Sequence, residues 1–239
     1  MKSTPATSAP SARVPSGVPG LDARIGGGFP EGRTVLVAGG IGTGKTTLGV
    51  QFLVEGARRG ELGVLITADE KPRHIIADVK NFGWDLSGPD YMHAITMLDA
   101  SPYFTAMRGA RKPDANETAA ELTRQVRALK AQRLVIDGLA SMVPGGSDDR
   151  RSARFLAVLI SALEDERLCT ALLTAPSLAP AEQFTAGALE LNVSVPNGHA
   201  RRSMTIRAMP GVTPLTGALN VDIDIDIIDG LGMTVMETT

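Results

Sequence analysis

Arg33–Arg59 reads RTVLVAGGIGTGKTTLGVQFLVEGARR. Its first six residues are a short apolar run, which predicts a buried β-strand. Leu48, Val50, Phe52, Leu53 and Val54 then fall in a helical stretch over Thr46–Arg59, closed by Gly60. Between the two, Gly39-Gly40-Ile41-Gly42-Thr43-Gly44-Lys45-Thr46 fits the phosphate-loop pattern G-x-x-x-x-G-K-[ST]. Glycines let the backbone curl so that successive N–H groups point at phosphate oxygens. The helix adds its positive N-terminal end. Lys45 is placed to reach the β and γ phosphates, Thr46 to offer a hydroxyl to Mg²⁺, and Thr47 to touch the α phosphate. A merely flexible glycine turn would not need a strand before it and a helix after it.

Outward from this unit, Leu62–Ala68 is expected as a second strand, and a helix led by Pro72 should run to about Asn81 and stop at Gly83. Tyr91–Leu98 is a further strand candidate, Ser101–Ala115 a loop, and Thr118–Lys130 an amphipathic helix. Arg133–Asp137 is a buried strand, Pro144–Ser147 a turn, Arg150–Glu164 a helix, and Leu168–Thr174 another strand. Strands that are apolar throughout and alternate with helices imply an α/β fold with a mostly parallel sheet covered on both faces. After Pro180 the pattern changes. Ala188–Val195, Ser203–Ala208 and Leu219–Ile228 alternate between glycines and prolines, which predicts antiparallel C-terminal strands.

Three acidic features bear on chemistry. Asp137 closes the apolar run LVID, where an unpaired carboxylate would be costly. It is read as the carboxylate of a Mg²⁺ site, beside the plainer reading of an Asp that opens the turn at Gly138. Asp69 and Glu70 follow the second strand, at the sheet edge where the phosphate loop should lie. They are candidates for the general base of hydrolysis, and equally for acids that complement the dipole of the following helix. Val221–Asp229 reads VDIDIDIID. Carboxylates on one face of a strand stand about 7 Å apart, so this is read as a half-buried strand with an acidic solvent face guarding a sheet edge, not as a metal row.

The 239 residues suit one α/β domain, and 43% hydrophobic composition fits a folded chain. A formal net charge of −2 provides no general attraction for nucleic acid. The local basic clusters Ala106–Lys112 and Asp149–Arg154 read as solvated charge. The lone cysteine, Cys169, sits in an apolar run and reads as a buried thiol. Residues 1–13 are expected as a loose tail and 14–239 as the domain. With no signal-like or membrane-length apolar stretch, a cytoplasmic location is expected.

With these residues in hand, the chain resembles the KaiC family of RecA-superfamily ATPases from Val14 to about Val235. Ser16–Leu53 is similar to the family's opening almost position by position. Leu62–Leu86, with Phe82-Gly83-Trp84, and Arg133–Met142 are further matches. The resemblance implies a RecA-like core, ATP and Mg²⁺ held between neighbours of a hexameric ring, and an acidic pair, here Asp69 and Glu70, that activates water. It implies that Arg207 reaches a neighbour's nucleotide.

Departures accompany it. Asp69 is a methylene shorter than the family glutamate, which favours Glu70 as the base. Met209 stands where the family has an arginine, and Thr174-Ala175-Pro176 where it has Thr-Ser-Glu. Arg201 or Arg202 would have to substitute for the missing charge; both also read as solvated hairpin residues. Hydrolysis is therefore expected to be slow, in a homo-oligomer acting in signalling with a protein partner. The alternatives are a nucleotide-loaded binding switch with little hydrolysis and, third, a DNA-dependent motor. No counterpart of the clock kinase's phosphorylated pair is found.

Overall fold

The structure, a computed structural model, describes residues 12–101, 114–142, 149–165, 168–196, 200–212 and 221–236. Two short strands, β1 (Arg13–Val14) and β2 (Phe29–Pro30), pair antiparallel around helix α1 (Leu21–Arg24). Arg13 thus already belongs to the folded part, and its Nη1 donates to the carbonyls of Ile25 and Gly28 at 3.3 and 3.1 Å.

The main body alternates strand and helix: β3 (Thr34–Gly39), α2 (Lys45–Arg58), β4 (Gly63–Thr67), α3 (Pro72–Val79), β5 (Ile95–Asp99), α4 (Ala115–Ala128), β6 (Arg133–Asp137), α5 (Leu139–Met142), α6 (Asp149–Asp165) and β7 (Thr170–Ala175). Four strands follow, β8 (Gly187–Ser194), β9 (Arg201–Ala208), β10 (Val221–Ile228) and β11 (Gly232–Val235). They form one nine-stranded sheet in the order β11-β10-β9-β8-β3-β7-β6-β4-β5. The expected α/β architecture, parallel with an antiparallel C-terminal part, is what is found.

Several boundaries differ from the sequence expectations, each for a local reason. β8 pairs parallel with β3, Leu36 opposite Ala188, so the antiparallel part begins only at β9. The stretch after β7 carries the chain back across the sheet before β8 starts. β10 is not an edge strand, because β11 pairs outside it. The strand expected from Tyr91 begins at Ile95, since Ala94 and Ile95 N–H donate to the Tyr91 carbonyl at 2.9 and 2.8 Å and curl the chain into a turn. Helix α4 starts three residues before Thr118 because the Asp114 carboxylate accepts from Asn116 and Glu117 N–H. Residues 102–113 of the expected loop, the turn over Pro144–Ser147 and the Ala106–Lys112 cluster lie outside the described residues.

Period-two alternation divides the core. Val35, Val37, Leu65, Val135 and Leu172 face α2 and α3, where Leu48, Phe52 and Ile75 pack on them. Leu36, Ile66, Leu134 and Ile136 face the other way onto Phe155, Leu159 and Val126 of α6 and α4. Phe29 stacks edge-on against Phe52 at 5.6 Å. Arg133 is wholly buried. Its Nε donates to Glu61 at 2.5 Å, its Nη1 to the Pro15 and Phe52 carbonyls at 2.8 Å, and its guanidinium lies 4.5 Å from the Phe52 ring centroid. It ties the segment after β1 to the base of α2 and β6. Cys169 is buried as expected, and burial pushes its thiol up to about 12. Among the described residues no helix is long and apolar enough to cross a membrane.

Candidate nucleotide site

Parallel strands present their C-terminal ends to one edge of the sheet, and there the candidate residues meet. β3 ends at Gly39 and runs through the glycine-rich loop into α2. Gly44 precedes the helix with φ +100, a left-handed backbone that favours glycine. Close approach restricts it further: a Cβ there would lie 2.7 Å from Ile227 Cδ1 and 2.8 Å from Met233 Cε. The phosphate loop is thus seated from below by β10 and β11. The first intrahelical bond runs from Leu48 N–H to the Gly44 carbonyl at 2.9 Å. The N–H groups of Lys45, Thr46 and Thr47 precede it, free to bind an anion at the positive helix end.

A cleft of about 400 Å³ opens over this edge. Gly39, Gly40, Ile41, Gly42, Lys45 and Thr46 form its floor, and Asp69, Glu70, Asp137 and Thr174 its far wall. Of the loop residues named from sequence, Thr43 and Gly44 play another part. Thr43 is buried and its hydroxyl closes the loop by donating to the Gly40 carbonyl at 2.9 Å. Thr47 sits half-buried in the first turn of α2. Ile41 at the tip is fully exposed.

Asp137 and Thr46 come together from elements 91 residues apart: the Thr46 hydroxyl donates to Asp137 Oδ2 at 2.9 Å. The other carboxylate oxygen, Oδ1, accepts from the Thr174 hydroxyl at 2.5 Å. Lys45 Nζ donates to the Gly39 and Gly40 carbonyls at 2.7 and 2.6 Å. Burial lowers the Lys45 pKa, opposed by the charges of Asp137 and Asp69. This is a compact set of hard oxygen donors beside one ammonium. It fits a magnesium ion, which prefers oxygen ligands and one or two protein groups plus phosphate.

The acidic pair lies on the turn after β4, held by the Thr67 hydroxyl donating to the Glu70 carbonyl at 2.7 Å. Asp69 rests on the turn after β6. Gly138 has φ +83, and a Cβ on it would lie 2.5 Å from Asp69 Cγ. The Glu70 pKa is raised, first by burial and then by the charges of Asp78 and Asp137, with His74 opposing. A carboxylate so tuned is a better proton acceptor than a free one.

The residues carried over for a neighbour's site sit elsewhere. Arg207 lies on β9 outside the cleft and pairs with Glu190 of β8. Met209 is not an exposed stand-in for an arginine: it is 7% exposed and packs in the core against Gly187. Arg201 pairs with Asp224, and Thr205 donates to Asp222 at 2.5 Å, so two carboxylates of the β10 row have partners within the sheet. Thr174 was read from sequence only as part of a departure from the family. Its hydroxyl on Asp137 was the contact missed; the signal was a hydroxyl directly after the apolar Ala171–Leu173, at the C-terminal end of β7.

A sheet with this order, a phosphate loop between its central strand and α2, and a carboxylate on a nearby parallel strand together define a P-loop nucleotide-binding protein. A profile of the KaiC ATPases matches residues 14–229. The chain is 35% identical over 168 residues to a circadian clock protein, KaiC3, of Synechocystis sp., covering 68% of this chain and 32% of that protein. It therefore spans about a third of that relative's length. A UPF0273 protein of Thermotoga maritima is 30% identical over 220 residues, 84% of this chain and 88% of the other. The crystal structure of a KaiC-like protein from Pyrococcus horikoshii OT3 superposes with a TM-score of 0.78 at 31% identity, covering 95% of this chain and all of that one. The chain belongs to the KaiC ATPase family, and residues 14–229 form a KaiC-like domain of RecA type.

Proposed function

We propose that the chain binds Mg-ATP in the cleft and hydrolyses it slowly, with Glu70 as general base. The observation that carries this is the Thr46 hydroxyl on Asp137 Oδ2 at 2.9 Å, inside a cleft whose wall bears Glu70. The loop amides and the first turn of α2 hold the phosphates, and Lys45 leaves its own loop carbonyls to meet the β and γ oxygens. Thr46 and Asp137 would hold magnesium, which would neutralise charge on those oxygens. Glu70, half-buried and with a raised pKa, accepts the proton of the attacking water. Asp69, seated on Gly138, shapes the same wall and adds negative charge near Lys45.

Slowness follows from the C-terminal strands. An arginine supplied in trans contributes on the order of 10³–10⁵ in rate to related phosphoryl transfers. Here Met209 is buried and Arg207 is engaged by Glu190. The same observation supports a second reading, a nucleotide-loaded switch that presents a surface to a partner and turns over little. In either case the ring of copies and the signalling role are part of the proposal. The family resemblance implies the ring, and the relatives named as clock proteins support a signalling role.

Phosphate release by purified protein, compared with Glu70→Gln, is the test. The expected loss is about 10²–10⁴-fold, with nucleotide affinity retained. Because the base must be ionised, wild-type turnover should fall as pH drops, with its midpoint above the ordinary glutamate range. The raised pKa also means that folding disfavours the charged form. Glu70→Gln should therefore raise the unfolding midpoint at neutral pH, and the gain should vanish below the ordinary glutamate range. Equal inertness of both proteins would favour the switch. Light scattering with and without ATP and Mg²⁺ tests assembly; a monomer in every condition would remove the ring.

A further inference from the structure

We propose that Thr174 is a positioning residue of the cation site, setting the carboxylate of Asp137 so that Oδ2 stays aimed at Thr46. The inference rests on the Mg-nucleotide reading above. Thr174 lies next to last in β7 and is 1% exposed. Its hydroxyl makes two bonds at once, donating to Asp137 Oδ1 at 2.5 Å and accepting from Gly138 N–H at 3.0 Å. A threonine hydroxyl has one proton, so with that proton on Asp137 its lone pair is available to Gly138. The parallel register of β6 and β7 places Ile136 opposite Leu173, and the next residue on each strand is one of the bonded pair.

The consequence is geometric. Asp137 is 6% exposed, so a carboxylate oxygen deprived of its donor would turn toward other hydrogen-bonding groups. The Lys45 ammonium is one cation that interacts with it electrostatically. Any such rotation moves Oδ2 off Thr46, the hydroxyl assigned to the ion. The Gly138 N–H would lose its acceptor in the same change, loosening the turn on which Asp69 rests. One side chain on β7 thus holds both the carboxylate of β6 and the turn behind the acidic pair.

The test is the magnesium dependence of nucleotide binding, measured by calorimetry with a non-hydrolysable ATP analogue at stepped Mg²⁺ concentrations. Thr174→Val keeps the shape and removes the hydroxyl; Thr174→Ala removes it without crowding; Thr174→Ser restores it. Valine and alanine variants should need about 10-fold more Mg²⁺ for half-maximal enhancement, as contacts behind metal ligands commonly show. Serine should match wild type, and affinity in EDTA should be the same in all four proteins. An unchanged Mg²⁺ requirement in the valine and alanine variants would overturn the proposal. So would a serine variant shifted as far as valine, or a loss equal with and without magnesium. If wild type itself shows no magnesium-enhanced binding, the Mg-nucleotide reading falls and this inference with it.

Discussion

Along β3, β4, β6 and β7 the polar side chains gather at the C-terminal strand ends, where Lys45, Thr46, Glu70, Asp137 and Thr174 face one cleft. Across β8, β9 and β10 they are spread along the strands and satisfy one another: Glu190 with Arg207, Asp222 with Thr205, Asp224 with Arg201. The first region leaves charge and hydroxyls directed at a ligand. The second engages Glu190, Asp222 and Asp224 in cross-strand pairs on one face and packs Met204, Ile206, Ile223 and Ile225 on the other. Both are ordinary sheet chemistry. What separates a site from a scaffold is whether polar groups converge on space or on each other.

Substitutions can break this contrast. The largest effect is expected for Met209→Arg. If the C-terminal strands are scaffold, restoring the family's charge places an unpaired guanidinium in the core and costs about 3 kcal/mol of stability, read by denaturant unfolding, with no gain in turnover. A faster, equally stable enzyme would put the scaffold reading in error. Next, Lys45→Ala should weaken nucleotide binding about 100-fold by calorimetry while leaving the fold intact, because this charge is directed at ligand. Gly44→Ala probes the seam between the regions. The new Cβ meets Ile227 and Met233 at a left-handed backbone position, and the expected loss is about 2 kcal/mol in chemical unfolding. The smallest effect belongs to Glu190→Gln. Breaking a half-exposed pair should change stability by less than about 1 kcal/mol and leave nucleotide affinity as it was.

The same contrast explains what could be read without coordinates. The phosphate loop was legible because its chemistry is contiguous: eight residues carry the loop, the lysine and the hydroxyl. Asp137 was legible because an acid closing three apolar residues is conspicuous. Thr174 was not, since its partner lies 37 residues away on another strand and a threonine is common at a strand end. Met209 was recognised as a missing charge but not as a core residue, because burial at a strand's end depends on what packs beneath it. β11 escaped notice because it is four residues long and opens on glycine. The antiparallel sense expected for β8 holds for its pairing with β9 but not for its parallel pairing with β3, because alternation reports a half-buried face and says nothing about strand direction.

The place of β3 in the sheet has a consequence for biosynthesis. Its hydrogen-bonding neighbours are β7 and β8, synthesised more than 130 residues after it, and none is adjacent in the chain. A nascent polypeptide emerging from the ribosome therefore carries its phosphate-gripping loop through the synthesis of that whole intervening stretch without the flanking strands that frame it. Such delayed, long-range closure slows folding and leaves apolar strand edges uncovered meanwhile. Nucleotide capture must accordingly be a late event in the maturation of the newborn chain.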